Sequence, residues 1–184
     1  MSVGGLVLAA GEGRRFGRPK ALVEVDGERL VDRATRLLRD GGCVPVVVVS
    51  GAIPLDVDGA DVVHNAAWPT GMGSSVRAGL DALTGSAADA VVIALVDQPW
   101  LGPESVRRLI SAHGHGAVVA VATYSGQRGN PVLLARSVWA AAADLARGDV
   151  GARAFIGAHP ELVTPVDCTD TGRPDDVDRP VDLR

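Results

Sequence analysis

The chain has 184 residues and a formal net charge of −4, with 47% of its residues hydrophobic and only 3% aromatic. An acidic balance argues against a general nucleic-acid binder, which carries a basic face, and no apolar run approaches the ~20 residues of a membrane span. Cys43 and Cys168 are far apart and form no CxxC or Cys/His cluster, so they read as small buried hydrophobes in a reducing compartment.

The length fits a single domain, 1–184, whose core Val, Ala and Leu must build. No basic segment followed by an apolar stretch marks the N-terminus, so the expectation is a soluble, cytoplasmic protein. Val3 to Ala10 reads as a buried strand that ends in a glycine loop. Leu30, Val31, Ala34, Leu37 and Leu38 share one helical face, and Gly41-Gly42 ends that helix. The β-branched run from Val44 to Ser50 predicts a buried strand, and Asp61 to His64 a short one. Val76, Leu80 and Leu83 place a helix over 73–83.

Ala90 to Val96 is the clearest central strand, and it runs into Asp97-Gln98-Pro99. Pro103 suits a first helical position, with Val106, Leu109 and Ile110 as the apolar stripe. Ala117 to Tyr124 and Pro131 to Ala135 read as strands flanking a loop, Ser125 to Asn130. Ser137 can cap a helix ending near Arg147, and Asp149 another through Phe155 and Ile156. Leu162 to Val166 reads as a last strand. Residues 167–184 hold six aspartates against three arginines and are expected to pack least. The alternation of strand and helix predicts a mostly parallel sheet covered on both faces.

The chemistry concentrates at Leu8-Ala-Ala-Gly-Glu-Gly-Arg-Arg-Phe-Gly-Arg-Pro-Lys20. Gly11, Gly13 and Gly17 permit a backbone turn whose N–H groups form a concave anion site. Arg14, Arg15, Arg18 and Lys20 interleave with them, and a basic site on an acidic protein points to a small anionic ligand. A P-loop needs Ser or Thr after its Lys, where Ala21 stands, and the dinucleotide fingerprint needs glycine where Phe16 stands. A redox role accordingly finds no flavin or nicotinamide fingerprint.

This loop resembles the signature of the MobA-like nucleotidyltransferases. The resemblance implies a Rossmann-like α/β three-layer sandwich of the nucleotide-diphospho-sugar transferase type. Leu8, Ala9, Ala10, Gly11, Gly13, Arg15 and Lys20 would then bind the nucleotide. Ala9-Ala10-Gly11 resembles the cytidylyltransferase branch acting on the molybdenum cofactor, where the guanylyl branch has Ala-Gly-Gly. Asn65 to Ser75 resembles the family's second nucleotide loop, implicating Asn65, Gly71 and Ser75. Arg128-Gly129-Asn130-Pro131-Val132 resembles its acceptor-side loop, with Asn130 where that branch commonly has His, and Gln98 joins these as an acceptor residue. Gly148 to Arg153 matches a further segment, and Asp176-Val-Asp178-Arg-Pro only partly matches Asp-x-Asp-Thr-Pro.

Several residues carry a bland reading beside the functional one. Asp97 suits an Asx-turn ahead of Pro99 as well as a Mg²⁺ site, and the resemblance favours the metal, with Asp178 as second ligand. Arg128 suits a surface hairpin as well as an anionic substrate, and Asn130 can shape a turn. Trp68, Trp100 and Trp139 read as packing residues. The resemblance implies Mg²⁺-dependent transfer of CMP from CTP to molybdopterin or its molybdenum form, with Arg15, Lys20 and Asp97 catalytic and a molybdoenzyme receiving the product. A non-catalytic nucleotide- or pterin-delivery protein, or a transferase with another acceptor such as a sugar phosphate, are the alternatives.

Overall fold

A computed structural model describes residues 1–183. Strand β1 (Val3–Leu8) leads through the glycine loop to a two-stranded ribbon, β2 (Glu24–Val25) and β3 (Glu28–Arg29). Helix α1 (Leu30–Asp40) follows, then β4 (Val46–Ser50), β5 (Asp61–His64), α2 (Met72–Leu83) and β6 (Ala90–Leu95). The second half runs α3 (Pro103–Gly114), β7 (Val119–Tyr124), β8 (Gln127–Ala135), α4 (Trp139–Leu145), α5 (Arg153–Ala158) and β9 (Val163–Asp167). Seven strands form one sheet in the order β5-β4-β1-β6-β8-β7-β9.

The sheet is mostly parallel, as the alternation of elements predicts. β1 pairs in parallel with β4 and β6, β4 with β5, and β7 with β9. β8 alone runs the other way, antiparallel to both β6 and β7. Parallel strands sheathed on both faces need apolar residues at every position, and β1, β4 and β7 are buried throughout. Val31, Leu38 and Leu109 from α1 and α3 pack on one face with Val7 and Val92. Leu80, Trp139 and Phe155 from α2, α4 and α5 pack on the other with Leu6 and Val91. Trp139 and Phe155 are the aromatics spent where a helix reaches the sheet, and aliphatic residues fill most of the rest. No helix among the described residues is long and apolar enough to cross a membrane.

Four details differ from the sequence reading. The expected loop Ser125–Asn130 is mostly strand. Ser125 (φ 51°) and Gly126 (φ 80°) make a two-residue turn of the kind that suits strand twist, so Gln127 and Arg128 pair at once with Tyr124 and Thr123, and an irregularity in register follows before Val132. Ser137 lies in a short 3-10 turn and does not cap α4, which starts after Val138 without a side-chain cap. Asp149 does not cap α5 either, because that helix begins at Arg153, beyond the Gly151 turn. The acidic tail is not loose: Val177 and Cys168 are fully buried, and the Val177 N–H bonds the Asp97 carbonyl at 2.8 Å. One apolar residue among aspartates anchors it, against Phe16, Val23, Val25 and Leu30 under the glycine loop. Cys43 is buried, which pushes its thiol up to about 12 and leaves it unreactive.

Gly73 gives a test of packing against propensity. Alanine gains about 1 kcal/mol over glycine within a helix. A Cβ on Gly73, however, would lie 2.5 Å from the carbonyl carbon of Ala146, a backbone atom with little room to yield. Overpacking of this kind costs roughly 1–3 kcal/mol, and here it also pushes on the turn that follows Ala146. Gly73→Ala should therefore lower stability in urea unfolding, and a more stable variant would show that the 146–148 backbone can move aside.

Candidate active site

The glycine loop starts where β1 ends. Ala9 is held to β4 by its N–H on the Val49 carbonyl, 3.0 Å, and the loop then folds back through Phe16 and Gly17 N–H groups on the Gly13 carbonyl. Gly13 has φ 69°, and a side chain there would strike the Arg18 carbonyl. Among the described residues, the N–H groups of Gly11, Glu12, Gly13, Arg14 and Arg15 donate to no internal acceptor. Five free amides on one turn, with Arg15 78% exposed beside them, make a cradle for an anion of several oxygens.

Lys20 stands at the foot of this loop with a side chain only 15% exposed. Its Nζ donates to Asp97 Oδ2 at 2.9 Å and to Asp178 Oδ1 at 2.7 Å. Asp97 is delivered by the carboxyl end of the central strand β6, and Asp178 by the segment that Val177 anchors. Arg15 Nη1 lies 3.8 Å from the other oxygen of Asp178. Burial works against the Lys20 charge, but the hydrogen bonds to Asp178 and Asp97 and their charges outweigh it, and the ammonium titrates above its ordinary range. The same hydrogen bond from Lys20 holds Asp178 below the usual carboxylate range. Asp176 moves the other way, raised by burial and then by the Asp97 charge, although Gln98 Nε2 donates to it at 2.8 Å.

The Lys20 ammonium occupies the position between two carboxylates that a hard divalent cation would take. Two converging carboxylates suit Mg²⁺, which keeps several waters and takes the rest of its oxygens from substrate phosphates. Among the described residues, no group of three His, Cys, Asp or Glu side chains is disposed around one metal position. On this geometry Asp97 and Asp178 could offer a metal ion two carboxylates, with its remaining ligands coming from elsewhere.

Two adjoining clefts lie beside the glycine loop, and the second reaches Asp97 and Asp178 of this cluster. The first, about 380 Å³, runs along the glycine loop from Ala10 to Arg14 and is closed by Trp68, Gly71 and Ser75. The second, about 260 Å³, has an apolar wall of Ile93, Leu95, Val132 and Ile156 and a rim of Arg15, Asn130 and Arg153. Asp97, Asp176 and Asp178 reach into the second. Leu8, Met72 and Asp149 line both and so mark the passage between them.

Of the expected nucleotide residues, Leu8, Ala10, Gly11, Gly13, Gly71 and Ser75 line the first cleft. Ala9 is buried beneath it among core residues. Asn65 is a brace, its amide donating to Ser74 Oγ at 2.8 Å and Ser75 Oγ at 3.1 Å while its oxygen accepts from the Ala67 N–H. Of the expected acceptor residues, only Asn130 lines the second cleft. Gln98 is buried and acts through Asp176, Gly129 packs on the Tyr124 ring, and Arg128 is exposed on the β7–β8 hairpin. The sequence reading missed Trp68, Met72, Asp149, Asp176 and Arg153 as cleft residues. The Gly148–Arg153 segment carried the signal, but its spacing alone does not say that Gly71 lets the backbone of Gly148 approach and bring Asp149 to the passage.

An open α/β sheet with an anion cradle at the carboxyl end of β1 and a carboxylate at that of β6 is a nucleotide-handling architecture. Comparison with known proteins gives it a family. The profile of the MobA-like NTP transferase domain matches residues 5–163, and the chain belongs to that family. It is 38% identical to nicotine blue oxidoreductase of Paenarthrobacter nicotinovorans, over 96% of this chain and 92% of that protein. It is 36% identical to molybdenum cofactor guanylyltransferase of Rhodobacter capsulatus, over 61% of this chain and 60% of the relative. Among solved structures, Rv0371c of Mycobacterium tuberculosis aligns with a TM-score of 0.81 at 28% identity, covering 100% of this chain and 95% of that one. A manganese complex of the same protein aligns with a TM-score of 0.72 at 25% identity, over 91% and 88%.

Replacing Lys20 tests the cluster. Lys20→Met leaves Asp97 and Asp178 facing each other without a cation, which should cost about 1–2 kcal/mol near neutral pH once water at Asp178 is allowed for. Because Asp178 is depressed in the folded state, the Lys20 contribution is full above its ordinary value of 3.8 and lost as pH falls through the depressed one. Urea unfolding of parent and variant should therefore diverge near neutral pH and converge in acid. A gap that persists unchanged in acid would assign the loss to packing.

Proposed function

We propose that the protein transfers a nucleotidyl group from a nucleoside triphosphate, CTP, to a phosphorylated acceptor, molybdopterin or its molybdenum form, with release of pyrophosphate. The observation that carries the reading is the junction itself. A cradle of free amides opens into one cleft, an amphipathic second cleft adjoins it across Leu8, Met72 and Asp149, and Asp97 and Asp178, bridged by Lys20, line the second. That is the arrangement needed to lay an α-phosphate against an incoming phosphate.

The acceptor phosphate is already anionic near neutral pH, since its second pKa is about 6, so no dedicated base is needed. The work is alignment and neutralisation of charge. The free amides of Gly11 to Arg15 hold the β- and γ-phosphates, and Arg15 and Lys20 offset the charge that gathers on the departing pyrophosphate. Asp97 and Asp178 would hold Mg²⁺, which supplies Lewis-acid polarisation of the α-phosphate when bound. The manganese complex of Rv0371c supports a divalent ion in this fold. Ala10 lines the first cleft, and its methyl group narrows the place a purine would fill. The product would pass to a molybdoenzyme.

A second reading comes from the full-length likeness to nicotine blue oxidoreductase. It places a heteroaromatic substrate against the apolar wall of the second cleft and uses the first for a nicotinamide nucleotide. Release of pyrophosphate from CTP plus acceptor supports the transferase. Consumption of a reduced nicotinamide nucleotide with nicotine blue, without any use of CTP, supports the oxidoreductase.

Two outcomes are expected. Calorimetry in magnesium should give tighter binding of CTP than of GTP, and equal affinities or a GTP preference would remove the inference from Ala10. Asp97→Asn keeps the shape of the turn but removes a charge that holds the metal. Turnover with CTP and acceptor should fall by on the order of 100-fold or more, since a metal ion supplies several kcal/mol, while the melting curve stays near that of the parent. Near-parental turnover would assign the metal to other residues.

A further inference from the structure

The second cleft has an unbalanced charge that the roles given so far do not use. Four carboxylates border it, from Asp97, Asp149, Asp176 and Asp178, against the two guanidinium groups of Arg15 and Arg153. Lys20 and Arg15 are drawn to Asp178. Arg153 is different. Among the described residues its side chain makes no ion pair and no hydrogen bond, and the residue is exposed at the cleft rim. An unpaired guanidinium that lines a cleft, beside carboxylates it does not touch, is a cation free to take a ligand.

Its backbone is not free to wander. Arg153 opens α5, and the next turn of that helix is pinned by Phe155, which is 1% exposed, and by Ile156. On the other side Gly151, at φ 51°, packs against the Met72 side chain at the start of α2. The same α5 therefore supplies Ile156 to the apolar wall and Arg153 to the rim. Across the cleft stand Val132 and Asn130 of β8. The surface so formed is amphipathic: an apolar wall for a flat ring, and one pre-positioned bidentate donor for an anion. Arg128, the cation that the sequence singles out for this role, stays exposed on the hairpin and does not line the cleft.

We propose that Arg153 is the specificity-determining residue of the acceptor site, gripping the phosphate of a phosphomonoester whose apolar ring lies on the wall of Ile93, Val132 and Ile156. The proposal rests on the nucleotidyl-transfer reading, because it takes the second cleft as the acceptor's. Bidentate contact would orient the acceptor phosphate toward the α-phosphate and offset the repulsion between the two anions and the bordering carboxylates. A polyol phosphate would keep the Arg153 contact but gain nothing from the wall. A neutral ring would gain the wall but leave the guanidinium unpaired.

The test is calorimetric, on the intact protein preloaded with magnesium and the non-hydrolysable α,β-methylene analogue of CTP. Phenyl phosphate is the probe, with glycerol phosphate as the ringless comparison. The parent should bind phenyl phosphate more tightly than glycerol phosphate. Arg153→Gln should weaken phenyl phosphate by about tenfold or more, the loss of a charge-assisted pair, and Arg153→Lys should fall between. Affinity for the CTP analogue and the melting temperature should stay at parental values, since Arg153 has no internal partner to lose. Parental binding by Arg153→Gln, a loss that follows Arg128→Gln instead, equal binding of the two phosphates, or no binding of phenyl phosphate to the loaded parent would each overturn the proposal. If the parent fails to bind the CTP analogue at all, the nucleotidyl-transfer reading falls, a separate outcome.

Discussion

Two carboxylates cannot both stay charged within reach of one another at the edge of a low-dielectric sheet unless a cation sits between them. Here the cation is Lys20, 2.7 and 2.9 Å from Asp178 and Asp97. The three residues come from the first loop, the central strand and the last segment, so a single charge cluster closes the chain on itself. Such a contact is a poor source of net stability, because desolvating the three groups takes back much of what their attraction gives. Its effect is geometric. It fixes the end of the chain against the loop that leaves β1, and so holds Asp178 at the wall of the second cleft.

The sheet explains why the cluster lies where it does. β1 and β6 are parallel neighbours, so their carboxyl ends open on the same edge, and the loop after one faces the carboxylate after the other. β8 is the exception that completes the site. By running antiparallel between β6 and β7 it brings its beginning, not its end, to that edge, and so presents Asn130 and Val132 opposite Leu95 and Ile93. A wholly parallel sheet would need another crossover helix to do the same.

Much of this was legible in the sequence for physical reasons. Period and composition fix strands that are buried on both faces, and β1, α1, β5 and β6 fall within two residues of their expected bounds. The glycine loop with its unbonded amides was legible because glycines and cations at that spacing have few other uses. The acceptor side was not. Arg128 and Arg153 look alike in a sequence, and only the tight turn at Ser125-Gly126 sends the first outward while the Gly151 turn sends the second inward. The tail misled for a related reason: six aspartates outweigh one valine in composition, but burial of Val177 decides where all of them go. Long-range closure by one apolar residue leaves no periodicity to read.

The relatives point to two chemistries, and these ask different things of the charge arrangement. Hydride transfer to a heteroaromatic ring is helped by an apolar wall and by a fixed distance between donor and acceptor carbons. It calls for no metal held between paired carboxylates, and a lysine that bridges them is not required to move a hydride. Phosphoryl-group transfer needs just such a set, because negative charge must be brought together before reaction and carried off afterwards. A cradle of unpaired amides sharpens the contrast: it matches a chain of phosphates with a shifting charge better than the single pyrophosphate bridge of a dinucleotide. The apolar wall is common to both readings. The Lys20–Asp97–Asp178 triangle is not, since the transferase reading alone gives its two carboxylates, which line the second cleft, a metal to hold.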